Sequence, residues 1–164
     1  VIKRSTAIGA LALSAAAMVG TISAPAPARE NRVVRCDTWI ARETPSNGGP
    51  ALVANVPRSM TPIDLNAVQM TDKSLTRRMV VEGLWAQRTE TDALMVTARF
   101  VNCKDTPLVV QARSSFMDAN QIPTENASMW RTVFIPPRGT GTYQERSIGT
   151  KKVAAYLIEL RSDK

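Results

Sequence analysis

The chain has 164 residues, with 21 lysines and arginines, 14 aspartates and glutamates and no histidine, for a net charge of +7. The missing imidazole excludes Ser-His and Cys-His nucleophile pairs, His-ligated zinc or iron sites, and a histidine general base near neutral pH. The length suits one hydrophobic core rather than two, and a moderate basic excess steers association with anionic partners without specifying one.

Residues 1–28 have the pattern of an export signal. Lys3 and Arg4 form a basic front, residues 7–23 carry no charge and are rich in alanine, and Ala26-Pro27-Ala28 has the small-x-small form of a cleavage site. Cutting after Ala24 or Ala26 would leave a proline just past the scissile bond, so Ala28 is the expected cut. A buried helix or membrane anchor is the alternative, although the run is short and weakly apolar for a span of about 20 residues. Cleavage would start the mature chain at Arg29 and leave 19 basic side chains against 14 acidic ones, a net +5.

Residues 29–60 read as an N-terminal arm or linker, broken by Pro45, Gly48, Gly49, Pro50 and Pro57. Residues 33–40 and 52–56 are weak strand candidates within it. Cys36 and Cys103 are the only cysteines. In an oxidising compartment such a pair is expected as a disulfide tying the arm to the core, with two separate buried thiols as the alternative. Next, Thr61-Pro62-Ile63-Asp64 carries helix-start chemistry, with a hydroxyl N-cap, proline at the first position and an acid in the first turn. It predicts a short helix over 62–70 with Ile63, Ala67 and Met70 on its packed side.

From residue 79 the period becomes two. Leu94, Val96, Ala98 and Phe100 share one face, and Leu108, Val110, Ala112, Ser114 and Phe116 repeat the pattern. Both read as half-buried antiparallel strands, joined at hairpin length by the turn formers of 102–107. Further strands are expected over 79–88, 130–135, 140–148 and 156–161, with a polar loop over 118–128 and a tight turn at Pro136-Pro137-Arg138-Gly139. An irregular crossing or one helical turn should fill 147–155. Several short strands separated by turn signals argue for a small β-sandwich.

The segment 81–161 resembles the YcfL-like family of small bacterial envelope proteins. The resemblance is carried by Leu94-Met95-Val96-Thr97-Ala98-Arg99-Phe100-Val101-Asn102, by Thr106-Pro107-Leu108-Val109-Val110-Gln111, and by Phe116-Met117-Asp118-Ala119-Asn120. Trp130 with the strand through Phe134, and the closing Tyr156-Leu157-Ile158-Glu159-Leu160-Arg161, continue the order. The resemblance implies an immunoglobulin-like β-sandwich without assigned activity, in proteins that are typically lipid-anchored through a cysteine directly after the signal. This chain lacks that cysteine and adds the segment 29–79.

The expected fold is therefore mainly β: a small immunoglobulin-like antiparallel β-sandwich over 61–164, with one short helix and an extended N-terminal arm. Candidate chemistry reduces to structure at most positions. Asp118 and Asn120 are expected to cap a turn, since calcium needs six to eight oxygens and no dense acid cluster accompanies them. The glycines of 138–143 read as a hairpin turn rather than a phosphate loop. Glu82, Asp92, Asp118, Glu125, Glu145 and Glu159 show no spacing that would pair two across a cleft. The tryptophans are expected in the core, except Trp39 in the arm, which could anchor a partner. No catalytic, cofactor or metal residue is expected. The expected role is an exported, non-catalytic component of a bacterial envelope assembly, periplasmic or outer-membrane associated. Its partner would be an envelope protein, met through Arg35, Trp39, Arg42 and Arg58. A binder of cell-wall glycan or another anionic ligand is the alternative. Nucleic acid is not an expected partner, and after cleavage the chain would not be an integral membrane protein.

Overall fold

The computed structural model describes Cys36, residues 48–149 and residues 152–163. Among the described residues nine strands form two sheets: β1 (Ala51–Leu52), β2 (Thr61–Ile63), β3 (Val68–Met70), β4 (Met79–Arg88), β5 (Leu94–Asn102), β6 (Leu108–Met117), β7 (Arg131–Ile135), β8 (Thr140–Arg146) and β9 (Ala155–Ser162). One sheet runs β2-β4-β5-β8; the other runs β1-β9-β6-β7, with β3 also pairing β9. All pairings are antiparallel except β3 with β9.

The connectivity is immunoglobulin-like. The β4–β5 hairpin, with β8 beside β5, faces β6 and β9, so the chain crosses between sheets after β5, β7 and β8. The last sheet position, beside β9, is taken by β1 and β3, which come from the N-terminal side of the domain. β1 thus lies within the stretch 29–60 expected as arm. Its neighbour Val53 is buried in the core, its amide donating to the Ala154 carbonyl at 2.6 Å.

The core is the alternating pattern closed on itself. Leu84 and Ala86, Val96, Ala98 and Phe100 meet Val110, Ala112 and Phe116, Ile158 and Leu160, all fully or nearly fully buried. Each large apolar side chain contributes roughly 1.5–3 kcal/mol by leaving water. Tyr143 and Tyr156 also lie inside. The Tyr143 hydroxyl is met by Ser114 Oγ at 3.1 Å and Ser128 Oγ at 3.3 Å; burial pushes the pKa of both phenols up.

Two expectations fail for instructive reasons. Residues 62–70 form no such helix: Pro62 and Ile63 pair with β4, and Val68–Met70 pairs with β9. The helix-start chemistry survives as one 3-10 turn, Leu65–Ala67, capped by Asp64, whose carboxylate accepts from Asn66 N at 3.1 Å. Two open sheet margins capture the flanks before a helix can extend. Second, β5 and β6 are not hairpin partners. They lie in opposite sheets, so their apolar faces meet across the core instead of sharing a ladder.

Candidate functional site

Both described tryptophans sit outside the core, a correction to the sequence expectation. They lie half-buried on the two outward sheet faces, each under arginine. On the four-stranded sheet Arg99 Cζ stands 5.2 Å from the Trp85 ring centroid, and Arg99 Nε is 2.5 Å from Glu82 Oε2. A register shift between Val81 and Gly83 makes this possible by letting Glu82 bulge out. Gly83 provides the floor, because a Cβ there would fall 2.3 Å from the Trp85 ring.

The opposite face carries the richer arrangement. Alternation along β6 and β9 brings Gln111 and Arg113 beside Arg161 and Glu159, in the register Gln111↔Arg161 and Arg113↔Glu159. Ala112 pairs with Arg131, so Trp130, one residue before β7, falls next to Arg113. The Arg113 and Arg161 guanidinium carbons lie 4.5 and 4.0 Å from the Trp130 ring centroid. Glu159 takes two bonds from Arg113, at 2.6 and 3.1 Å, raising the arginine pKa above its ordinary value. Arg161 Nε donates to Gln111 Oε1 at 2.8 Å, and Gln111 Nε2 donates to Asp163 Oδ1 at 2.9 Å. The result is an aromatic and cationic platform whose side chains are held by one another on rigid strands. A polar groove of about 770 Å³, lined in part by Thr71, Lys73, Gln111, Arg161 and Asp163, adjoins it. Phe134 is exposed on β7, whose partner across the ladder is Val109.

The sequence candidates distribute differently. Arg35, Trp39 and Arg42 lie outside the described residues. Arg58 is exposed beside Pro57, away from the platform at the end of the sandwich where Arg88 N donates to Pro57 O. Cys36 and Cys103 are joined by a disulfide, which packs on Val80 and Val101 outside the main core. It fastens Cys36 to the outer face of the four-stranded sheet.

The candidate carboxylates serve structure. Glu82, Glu145 and Glu159 pair with Arg99, Arg131 and Arg113. Asp118 accepts from the amides of Asn120 and Ile122, as a turn cap should. Glu125 accepts from the amides of Ile148 and Gly149 at 2.9 and 2.8 Å, clamping the crossing into β9. Pro136–Gly139 form the expected tight turn, with Gly139 N donating to Pro136 O at 3.0 Å, but it joins the two sheets rather than a hairpin, and Thr140 and Gly141 already lie in β8. Among the described residues no group of three or more metal-ligating side chains gathers, and no helix is long and apolar enough to cross a membrane.

The platform was legible only in part. Alternation puts Gln111, Arg113, Glu159 and Arg161 on polar strand faces, but only the pairing of β6 with β9 brings them to one ring.

No protein-family model matches the chain, and no curated protein matches it. Two solved structures are similar to it. One is cj0090 of Campylobacter jejuni, 11% identical with a TM-score of 0.47, the match covering 59% of this chain and 98% of that one. The other is a DUF1425 family member from Shewanella sp. pv-4, 13% identical with a TM-score of 0.47, covering 71% and 98%.

Proposed function

We propose that this is a non-catalytic, exported protein of the bacterial cell envelope, one of the YcfL-like group, that acts by binding another protein within an envelope assembly. The Trp130 platform carries the reading. Tryptophan and arginine are the side chains most enriched at binding hot spots, and here they are preorganised by Glu159 and Gln111 on two adjacent strands. Arg161 has further N–H groups with no partner among the described residues. Phe134 and the highly exposed Met129 extend the apolar area at the β7 side. The disulfide supports an oxidising compartment.

The test is affinity capture from detergent-solubilised envelope of the source bacterium. The expected result is a defined protein set recovered by the wild type and lost with Trp130→Ala or Arg161→Ala, but kept with Arg99→Ala on the opposite face. Unchanged recovery with Trp130→Ala would overturn the assignment of the surface. The arm is tested separately by deleting 29–47 together with Cys103→Ser, which spares core residue Val53; an unchanged partner set would remove the arm from the contact. The polar groove beside Arg161, walled by Lys73 and also by Asp72 and Asp163, supports one second reading: a binder of cell-wall glycan. Salt-resistant cosedimentation with peptidoglycan, lost on Lys73→Ala and Arg161→Ala, would select it.

A further inference from the structure

Strand β8 closes one side of the four-stranded sheet, pairing β5 alone among the described residues. Its hydrogen-bond phase follows from the two ends of the ladder. Ser147 N donates to Leu94 O, and Asn102 N donates to Gly139 O, each at 2.9 Å. Narrow pairs recur at every second residue of an antiparallel ladder. Gly141, Tyr143 and Glu145 therefore bond to β5, while Thr140, Thr142, Gln144 and Arg146 turn their N–H and C=O groups outward. The first three have no main-chain partner on that side among the described residues, and the Arg146 amide meets only the adjoining Glu145 carboxylate, at 3.3 Å.

Exposed strand margins are normally blocked by proline, bulges, shortness or inward charge. The other margins here carry such blocks. β2 contains Pro62, β1 and β3 have two and three residues, and β7 ends at Pro136-Pro137. By contrast β8 runs seven residues without proline or bulge. Its one inward acid, Glu145, is neutralised by Arg131 at 3.2 Å.

We propose that β8 pairs antiparallel with β8 of a second copy of this chain, joining the two four-stranded sheets across a two-fold axis. The row of outward side chains is self-complementary. With the axis beside Tyr143, Thr142 lies opposite the partner's Gln144 and Thr140 opposite the partner's Arg146, so no like charges face each other. A hydroxyl and an amide meet at the centre, and each outward-facing residue exchanges two main-chain bonds. The Trp130 platform lies on the other sheet and stays uncovered, so this pairing is independent of the function proposed above.

The experiment is sedimentation velocity over a range of concentrations, on protein expressed through a bacterial export route. Wild type should form a dimer. T142K/Q144K and T142E/Q144E change only exposed side chains and place like charges across the axis, so each alone should be monomeric. An equimolar mixture should recover a heterodimer, since opposite charges now face each other. Unfolding followed by circular dichroism checks that each variant is folded; if one is not, the single variant T140K, which sets a lysine opposite the partner's Arg146, replaces it and should likewise be monomeric. A wild type that stays monomeric at every concentration would overturn the proposal, as would a dimer indifferent to both charged variants. A monomer whose Thr142 and Gln144 amides resist hydrogen exchange would place the chain's own residues 29–47 on the margin and overturn it equally.

Discussion

Removing the Asn102 side chain should unlatch one end of the sandwich. Asn102 is fully buried. Its Nδ2 donates to Thr106 O at 2.7 Å, with Pro136 O at 3.1 Å and Ile135 O at 3.3 Å sharing the second hydrogen, and its Oδ1 accepts from Lys104 N at 2.9 Å. One side chain thus ties the β5–β6 crossover to the turn between β7 and β8, two of the places where the chain changes sheet. Asn102→Ala loses about three net bonds of roughly 1 kcal/mol each and leaves buried carbonyls unpaired, so a loss of about 3–5 kcal/mol is expected. For a domain of this size that corresponds to a fall in Tm of roughly 10–20 °C. Denaturant unfolding followed by circular dichroism gives the free energy directly. Asn102→Asp supplies the control, because it preserves size and the acceptor but points an oxygen at carbonyl oxygens. It should cost at least as much as alanine near neutral pH. An aspartate variant within about 1 kcal/mol of wild type would refute the reasoning, since volume rather than the donor pair would then hold the site.

Replacing both cysteines with serine should lower unfolding free energy by roughly 4 kcal/mol, the loop-entropy value for a separation of 67 residues; equal denaturant midpoints with and without the bond would contradict it. Arg88 donates to the carbonyls of Asp92, Ala54 and Val153 at 3.1, 3.2 and 2.5 Å, joining the β4–β5 turn, the segment after β1 and the crossing into β9. Arg88→Met keeps the stem and loses the fork, and should cost about 2–4 kcal/mol, read as a shift in Tm. The chain's two tyrosines are both buried, and burial raises the pKa of each above the ordinary value near 10. A raised folded-state pKa leaves stability intact below about pH 10, where the unfolded phenols are still protonated, and removes it as pH rises further. Phenolate absorbance at 295 nm should therefore appear together with unfolding, and a phenol titrating near 10 in the folded protein would show that one side chain is accessible.

The platform and the core were unequally readable for a physical reason. Leu94, Val96, Ala98 and Phe100 announce their burial by period alone, because a half-buried strand must alternate whatever it pairs with. That rule also gave the limits of β4, β5, β6 and β9 to within about a residue of those observed. It does not say which strands are neighbours. The turn formers of 102–107 suit a hairpin and an inter-sheet crossover equally, and Asn102 decides between them through contacts with residues 135 and 136. Trp85 and Trp130 were misplaced for the same reason. A large aromatic fits a core, but here the interior was already filled by Phe100, Phe116, Tyr143 and Tyr156, and arginines on the outer faces supplied another environment.

Local chemistry in the sequence determined a mainly β chain with alternating faces, the turn cap at Asp118, and the cysteine pair as the one covalent link available; it placed the cap before residue 65 at Thr61 rather than at Asp64. Tertiary structure alone decided that 62–70 would be two strand fragments and a 3-10 turn, since sheet margins compete with a short helix only once the sheets exist. It alone gathered Arg113, Trp130, Glu159 and Arg161 around one ring, because their meeting depends on β6 lying between β7 and β9. Periodicity is written along the chain, whereas neighbourhood across a sheet depends on pairings between residues far apart in sequence.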